Sequence, residues 1–134
     1  MKSIEGNFDN LEVNDLLKKH FIELRSVSPA GSTHVLDIDG LKDPSIKFWS
    51  LWENNKLIGC GALKFLEIYH GEFKSIRVAD EFKKKGIGER IIKHLIDEAI
   101  KLKISKLSIE TGAGEFFLPA RKLFAKFGFK SCPP

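Results

Sequence analysis

The residues of this chain that most clearly predict chemistry form a short basic run containing two glycines. Residues 83–88 read KKKGIG, and they stand between an extended pattern that ends at Val78 and a long helical pattern. The first turn of a helix exposes N–H groups without intrahelical partners, and the helix dipole is positive at that end. Glycines keep side chains away from this backbone, and lysines attract anions. The run therefore predicts a binding site for a phosphate or pyrophosphate group.

Two other phosphate-binding motifs do not fit this run. A Walker A loop needs a Gly-Lys-Ser/Thr triplet four residues after a first glycine, and none follows here. The dinucleotide fingerprint needs three glycines after a short strand and turn, whereas this run has two. A plainer interpretation stays open, in which Gly86 and Gly88 cap the helix loosely and the lysines form a solvated turn.

The first half of the chain predicts one main helix followed by a hairpin. Asn54-Asn55 tolerates positive φ and predicts the hairpin turn, and Gly59 and Gly61 fit bulge positions in the returning strand. The predicted elements are a strand at residues 2–7, a helix at 13–24, a helical turn at 36–41 and strands at 46–52 and 57–68. This half therefore predicts a meander of antiparallel strands.

The second half of the chain alternates strands with helices. Pro119 is tolerable only in the first turn of the last helix, and Gly128 fits the cap at its end. The predicted elements are a strand at 72–79, helices at 86–103 and 115–127, a strand at 106–111 and an extended piece from Phe129. A right-handed crossover between parallel strands fits the middle of this order. The fold class is α+β or α/β, with a mixed sheet and helices on both faces.

Length and composition exclude several classes of protein. The 134 residues predict one domain, and 43% apolar with 30% charged residues excludes wholesale disorder. The sequence has no apolar run long enough to span a bilayer and no signal-peptide pattern, so we expect a cytoplasmic protein. Cys60 and Cys132 are too few for a disulfide framework, and with four scattered histidines they predict no metal site. Only four of the 22 basic residues are arginine, which disfavours nucleic-acid binding at a net charge of +4.

Two motifs of the second half resemble one enzyme family. Lys83-x-x-Gly86-x-Gly88 after a strand is similar to the Arg/Gln-x-x-Gly-x-Gly/Ala signature of the GNAT superfamily of acetyl-CoA-dependent N-acetyltransferases. Residues 119–129, PARKLFAKFGF, resemble the C-terminal helix of that family, which ends in Gly-Phe. Shorter stretches at 59–63, 70–75 and 110–112 look like one small bacterial subgroup. The resemblance covers roughly residues 3 to 132.

The resemblance implies a sheet of about six strands and a set of acetyl-CoA contacts. Backbone N–H groups at the start of the long helix would hold the pyrophosphate, and the strand before it would pair with the pantetheine arm. The amide near Ile76 or Val78 would polarise the thioester carbonyl and stabilise the oxyanion, and Ile76 is the candidate we select. The implied acetyl-CoA contacts are Ile76, Arg77, Val78, Lys83, Lys84, Lys85, Gly86, Ile87, Gly88 and Glu89.

The resemblance also implies a candidate general base. Acetyl transfer needs a neutral amine, so the substrate ammonium must lose a proton. Glu72 lies six residues before Val78, where several members of the family carry a catalytic glutamate. A plain surface carboxylate is the alternative, and Glu110 is a second candidate. For the acceptor pocket the weaker candidates are Ser28, His34, Trp49 and Glu110.

Two positions depart from the family pattern. Phe124 occupies the position where the family often has a tyrosine that protonates the leaving thiolate, and Phe117 stands where many members have an asparagine that contacts CoA. No general acid is therefore assigned. A non-catalytic CoA-binding or regulatory domain of the same fold is the main alternative function, and a basic nucleic-acid-binding module is a more distant one.

The resemblance further implies that the chain is short at its C-terminal end. Family members usually have one more strand after the one that begins at Phe129, and residues 129–134 leave no room for it. We therefore expect a single domain over residues 1–134 with the final strand missing. An incomplete sheet recruits partners, so a homodimer that completes the sheet is also expected.

Overall fold

The structure is a computed structural model that describes residues 1–27, 38–109 and 118–130. Predicted site residues Ser28, His34 and Glu110 lie outside these ranges, as do Phe117 and Cys132. The described elements, in chain order, are β1 Lys2–Glu5, α1 Leu11–Val27, α2 Ile38–Leu41, β2 Ile46–Glu53, β3 Lys56–Glu67, β4 His70–Val78, a 3₁₀ turn Asp80–Phe82, α3 Ile87–Lys101, β5 Lys106–Ile109 and α4 Leu118–Lys126.

The five strands form one mixed sheet in the order β1-β2-β3-β4-β5. Neighbours among the first four strands are antiparallel, whereas β4 and β5 are parallel and are joined through α3. Asn54 and Asn55 have φ of 51° and 64°, as a tight two-residue hairpin turn requires. The mixed sheet predicted from the sequence is confirmed, with five strands in the described ranges instead of about six. None of the helices in those ranges is long and apolar enough to cross a bilayer.

Each face of the sheet carries its own apolar cluster, so the prediction of helices on both faces is confirmed. On one face the stripe of α3, including Ile91 and Leu95, packs on β3 and β4 together with Phe124 of α4. On the other face α1 contributes Val13 and Leu17. Burying each such side chain stabilises the fold by about 1.5–3 kcal/mol. The sheet is thus fixed from both sides, and the backbone of β4 is held between α1 and α3.

The two glycines of β3 serve the close packing of α3 on the sheet. A Cβ at Gly59 would lie 2.6 Å from the carbonyl oxygen of Arg77 and 2.7 Å from Cδ1 of Ile91, and one at Gly61 would lie 2.9 Å from Cδ1 of Leu95. The prediction of a bulge in β3 is confirmed beside Gly59, where Ile58 is an additional residue in the ladder with β2. At Gly61 the ladder with β4 is also irregular, but the additional residue belongs to β4.

The end of α4 follows the predicted cap. Gly128 has φ of 93°, and the N–H of Phe129 donates to the carbonyl oxygen of Phe124 at 3.1 Å. This bond satisfies a carbonyl that the helix itself leaves without a partner. Pro119 is the second residue of α4, where its missing N–H costs no helical hydrogen bond. The cap directs the chain back toward the sheet, where the Phe129 ring lies 5.6 Å from that of Phe73.

Candidate functional site

A β-bulge interrupts β4 three residues before its end. Lys74 pairs with Ala62 and Arg77 pairs with Cys60, so two residues of β4, Ser75 and Ile76, oppose the single residue between them on β3. Ser75 has φ of 52°, in the left-handed region that non-glycine residues seldom adopt. The carbonyl oxygen of Ser75 accepts a hydrogen bond from Sγ of Cys60 at 3.3 Å. The bulge therefore turns one peptide of β4 out of the regular ladder.

The bulge also changes which side chains of β4 face which helix. Before it, Phe73 packs in the α3 cluster. After it, Ile76 and Val78 pack against that same cluster, and Arg77 faces α1. A regular strand would place residues 73 and 76 on opposite faces, because side chains alternate with a period of two. The additional residue thus places the predicted contact residues Ile76 and Val78 together on one side.

The second half of β4 extends beyond the described pairing with β5. The register of β4 with β5 extends from His70 with Lys106 to Phe73 with Ile109. Within the described ranges, no β5 partner faces residues 75–78. A backbone in this position can accept an added strand by pairing with an extended ligand.

The loop after β4 brings the chain to the amino end of α3. Gly86 immediately precedes α3 with φ of 76°, and a Cβ placed there would meet no atom within 4 Å. Gly86 therefore leaves open space at the N–H groups of the first helical turn and carries no side chain to cap them. Gly88 has a different role, since a Cβ there would lie 2.8 Å from Cδ2 of Leu123. This second glycine allows α4 to pack on α3.

The lysines of the loop are partly engaged by the protein itself. Nζ of Lys83 lies 3.0 Å from Oδ1 of Asp80, and Nζ of Lys85 lies 5.6 Å from the centre of the Phe82 ring. Asp80 also pairs with Lys19 of α1. Hydrogen bonds from Lys19 and Lys83 lower the pKa of Asp80 to about 2. The loop therefore remains positively charged while one carboxylate anchors it to α1.

A buried arginine ties β4 to α1 and to the same loop. Nη2 of Arg77 lies 2.9 Å from Oε2 of Glu23 and 3.3 Å from Oδ1 of Asp80. The hydrogen bond from Arg77 lowers the pKa of Glu23. Burial, with the nearby Arg77 charge as a second cause, lowers the pKa of His20 to about 4. Arg77 is a predicted contact residue, but its side chain points into this network. Its backbone is therefore the part that can bind a ligand.

The predicted base Glu72 lies on the α1 side of β4, four residues before Ile76. Its Oε1 accepts from Nζ of Lys74 at 2.7 Å, and both side chains are 16% exposed. Glu72 pairs with Lys64 and Ile76 lies opposite Gly61, so the two are three ladder positions, or about 10 Å, apart along β4. A proton moving over that distance would need intervening water.

The two tryptophans of β2 pack on opposite faces of the sheet. Trp49 is 4% exposed and its ring lies 5.5 Å from that of His94. It packs in the apolar cluster on the α3 side, and its prediction as an acceptor-binding residue stays a prediction. Trp52 packs on the opposite face, as the spacing of three predicted.

Phe124 is buried and its ring packs 5.8 Å from that of Phe129. Among the residues that the structure describes, no group of His, Cys, Asp or Glu is arranged to hold a metal ion.

Two features of the site were missed by sequence reasoning. The bulge at Ser75 carries no glycine or other signal of positive φ. The network around Arg77 joins residues 54 positions apart, so no local pattern reveals it. The position of Arg77 between Ile76 and Val78 was the one local sign of a buried charge.

Comparison with solved structures establishes the class of fold. A putative acyl-CoA N-acyltransferase from Klebsiella pneumoniae subsp. pneumoniae superimposes with a TM-score of 0.74 at 17% identity, covering 99% of this chain and 86% of the other. A GNAT family acetyltransferase from Elizabethkingia anophelis, with acetyl-CoA bound, superimposes with a TM-score of 0.71 at 23% identity, covering 98% and 77%. The chain therefore has the fold of the acyl-CoA N-acyltransferases.

Sequence comparison identifies the family. The chain matches the acetyltransferase (GNAT) family over residues 11–129. It is 43% identical over 123 residues to the uncharacterized N-acetyltransferase YsnE of Bacillus subtilis (strain 168), covering 92% of this chain and 82% of that protein. The chain belongs to the GNAT family, and its enzyme class is that of an acetyltransferase. The resemblance given by the Lys83–Gly88 motif and the C-terminal helix is confirmed.

Proposed function

We propose that the chain transfers an acetyl group from acetyl-CoA to a primary amine of a small molecule or peptide. The observation that carries the proposal is the continuity of the site along one segment. The bulge at Ser75 turns a peptide out of the ladder, residues 76–78 follow with no β5 partner among the described residues, and Gly86 then opens the amino end of α3. These three features match the thioester, the pantetheine arm and the pyrophosphate of an extended acyl-CoA in their order along the molecule.

Acetyl-CoA binding in this proposal relies mainly on backbone groups. N–H groups of residues 85–89 would bind the pyrophosphate at the positive end of the α3 dipole. The open space at Gly86 fits this role, since no side chain intrudes there. The pantetheine arm would pair with Ile76 to Val78 as an added strand. The related fold from Elizabethkingia anophelis was solved with acetyl-CoA bound, which supports the same co-substrate here.

The chemistry proposed is direct attack within a ternary complex. A neutral amine attacks the thioester carbonyl, the C–N bond forms, the C–S bond breaks, and CoA leaves as its thiolate. Holding both substrates side by side supplies much of the rate, because the attack becomes effectively unimolecular. The Ile76 N–H would donate to the carbonyl oxygen as it gains negative charge. No covalent intermediate on the protein is required.

Glu72 is the proposed general base, acting through water. Its carboxylate lies on the α1 side of β4 and is shared with Lys74. The distance of about 10 Å along β4 from the Ile76 amide calls for a water chain between the ammonium and the carboxylate. The leaving thiolate would take its proton from solvent, because Phe124 offers none at the position where the family often has a tyrosine.

A second candidate function is supported by the same Phe124. A buried phenylalanine there, packed on Phe129, removes the usual acid without removing any proposed CoA contact. A CoA-binding domain without transferase activity would retain the loop, the bulge and residues 76–78. The two candidates therefore share a ligand and differ in turnover.

One experiment separates these candidates. Acetyl-CoA is incubated with a panel of amines, free thiol release is recorded, and thermal unfolding is measured with and without CoA. Turnover with any amine supports the transferase. A melting temperature raised by CoA without turnover supports the non-catalytic domain. A melting temperature that CoA leaves unchanged overturns the proposed CoA site itself.

A homodimer is part of the proposal. Within the described ranges, β5 is the outermost strand on its side of the sheet and pairs only with β4. Exposed strand edges recruit other strands, so a second copy is the natural partner. Sedimentation velocity at about micromolar concentration tests this, and a monomer under those conditions would remove the dimer from the proposal.

A further inference from the structure

A fully buried thiol lies directly behind the bulge of β4. Cys60 is 0% exposed in β3, and its Sγ is 3.3 Å from the carbonyl oxygen of Ser75. Burial raises the pKa of Cys60 to about 12, so the thiol keeps its proton. A protonated thiol is a weak hydrogen-bond donor. Its proton is therefore available to the Ser75 carbonyl.

The contact fixes the direction of the neighbouring N–H. The carbonyl of Ser75 and the N–H of Ile76 belong to one planar peptide, and in a trans peptide the two point in opposite directions. The carbonyl points toward Cys60 on β3. The N–H of Ile76 consequently points away from the Cys60 thiol, and so away from the α1 side of the sheet, where that thiol packs.

We propose that Cys60 is a positioning residue that holds the Ser75–Ile76 peptide so that the Ile76 N–H is presented to the thioester carbonyl. The inference rests on the proposed function, since it assigns the thiol a part in the same oxyanion site. The hydrogen bond from Cys60 also explains how Ser75 is kept at a φ of 52°, a conformation that non-glycine residues seldom adopt unless neighbouring groups stabilise it. Cys60 touches no substrate and acts only through this peptide.

Three variants test the proposal. Cys60→Ala removes the donor. Cys60→Ser keeps a hydroxyl donor on a slightly shorter arm. Val13→Ala is the matched control, because Val13 is 0% exposed and lies in the same apolar cluster as Cys60 but on α1. Val13→Ala therefore loses buried methyl groups without changing the donor behind the bulge.

Turnover and CoA binding are compared in all three variants. We expect Cys60→Ala to lower kcat about tenfold, because the oxyanion donor is no longer held in place. Its Kd for CoA should stay within about twofold, since CoA has no thioester carbonyl. Cys60→Ser should recover part of kcat, and Val13→Ala should lower the melting temperature while keeping kcat. Equal loss of kcat in Cys60→Ala and Val13→Ala would overturn the proposal.

An activity-independent measurement distinguishes this proposal from the proposed function. The ¹H–¹⁵N signal of Ile76 in the ligand-free protein should move in Cys60→Ala, return toward its wild-type position in Cys60→Ser, and stay in place in Val13→Ala. If the wild-type protein turns over no amine, the transferase proposal fails, and this signal alone judges the role of Cys60. An Ile76 signal that is the same in Cys60→Ala and wild type overturns it.

Discussion

At the scale of single residues, the ion pair of Glu72 with Lys74 would set the conditions for the proton transfer proposed for Glu72. The carboxylate is largely enclosed and already has a cationic partner at 2.7 Å. A base in this position can act only when water links it to the ammonium. Its contribution should then appear in the pH dependence of kcat more clearly than in substrate binding.

Replacing Glu72 with glutamine tests that role directly. We expect Glu72→Gln to lower kcat by on the order of 100-fold near neutral pH and to leave the KM for acetyl-CoA nearly unchanged. Thiol release between about pH 6 and pH 9 provides the measurement. Glu67→Gln, at the exposed far end of β3, is the matched control and should behave as wild type. Full activity of Glu72→Gln across this range would exclude Glu72 as the base.

Buried side chains behind the proposed backbone contacts also shape the site. Arg77 connects α1, β4 and the loop through Glu23 and Asp80. Its neighbour His20 has a buried Nδ1 for which no partner is found in the described residues. Unpaired buried polar atoms weaken a fold, and they make its stability depend on pH when they can titrate.

At the scale of elements, the amino end of α3 depends on the backbone conformation of Gly86. With φ of 76° and open space around it, the residue is limited by backbone strain and not by contacts. We expect Gly86→Ala to lower the free energy of unfolding by about 1–2 kcal/mol. Gly86→Asn should lose less, because asparagine tolerates the left-handed region. Urea unfolding of both variants gives the comparison.

The same two variants should also weaken CoA binding. A side chain at position 86 would extend into the space proposed for the pyrophosphate, so both should raise the Kd for CoA even where stability is retained. If Gly86→Asn binds CoA as tightly as wild type, the pyrophosphate does not lie at this glycine.

The contact between α3 and the sheet depends on Gly59. A Cβ there would meet the carbonyl oxygen of Arg77 at 2.6 Å and Cδ1 of Ile91 at 2.7 Å. Because backbone cannot yield as a side chain does, Gly59→Ala should lower the free energy of unfolding by about 3 kcal/mol, at the upper end for overpacking. The double variant Gly59→Ala, Ile91→Ala relieves only the side-chain clash and should remain well below wild type in stability. Recovery to the level of Ile91→Ala alone would mean that the backbone contact is unimportant.

Local patterns predicted the elements but not their irregularities. The apolar stripe of α3, the Asn54-Asn55 turn and the cap at Gly128 are encoded within a few residues, and all three were correctly predicted. The bulge at Ser75 depends on how β3 and β4 pack between two helices. No local sequence pattern encodes that packing. The face of Trp49 could not be assigned either, since alternation alone does not say which side becomes the α3 side.

At the scale of the whole molecule, two histidines with lowered pKa make stability depend on pH. The pKa of His20 falls from 6.5 to about 4 through burial and the Arg77 charge, which the nearby Glu23 partly offsets. Below about pH 6.5 the unfolded chain binds a proton at His20 that the folded chain does not, so stability falls as pH falls toward 4. The loss at His20 should reach about 3 kcal/mol. His94 acts in the same direction, because burial lowers its pKa too.

Unfolding free energies at about pH 7.5 and pH 4.5 test this dependence. The difference between the two values should be large in wild type and smaller in His20→Gln, with the residual slope arising partly from His94. Val13→Ala, which changes a buried side chain on the same helix as His20 without removing a titratable group, provides the control and should keep the wild-type difference. An identical difference in wild type and His20→Gln would contradict the assignment.

The bulge has one consequence for how this protein could change over time. Arg77 pairs with Cys60 and Lys74 pairs with Ala62, so deleting Ser75 alone would give a regular ladder and leave every other side chain of β4 on its present face. Such a chain should melt no lower than wild type, while the peptide that presents the Ile76 N–H would be drawn into the sheet. Thermal unfolding and turnover of a Ser75 deletion variant would show whether the two properties separate. If they do, Ser75 is the single residue on which the proposed catalytic geometry depends, and the stability of the fold does not require it.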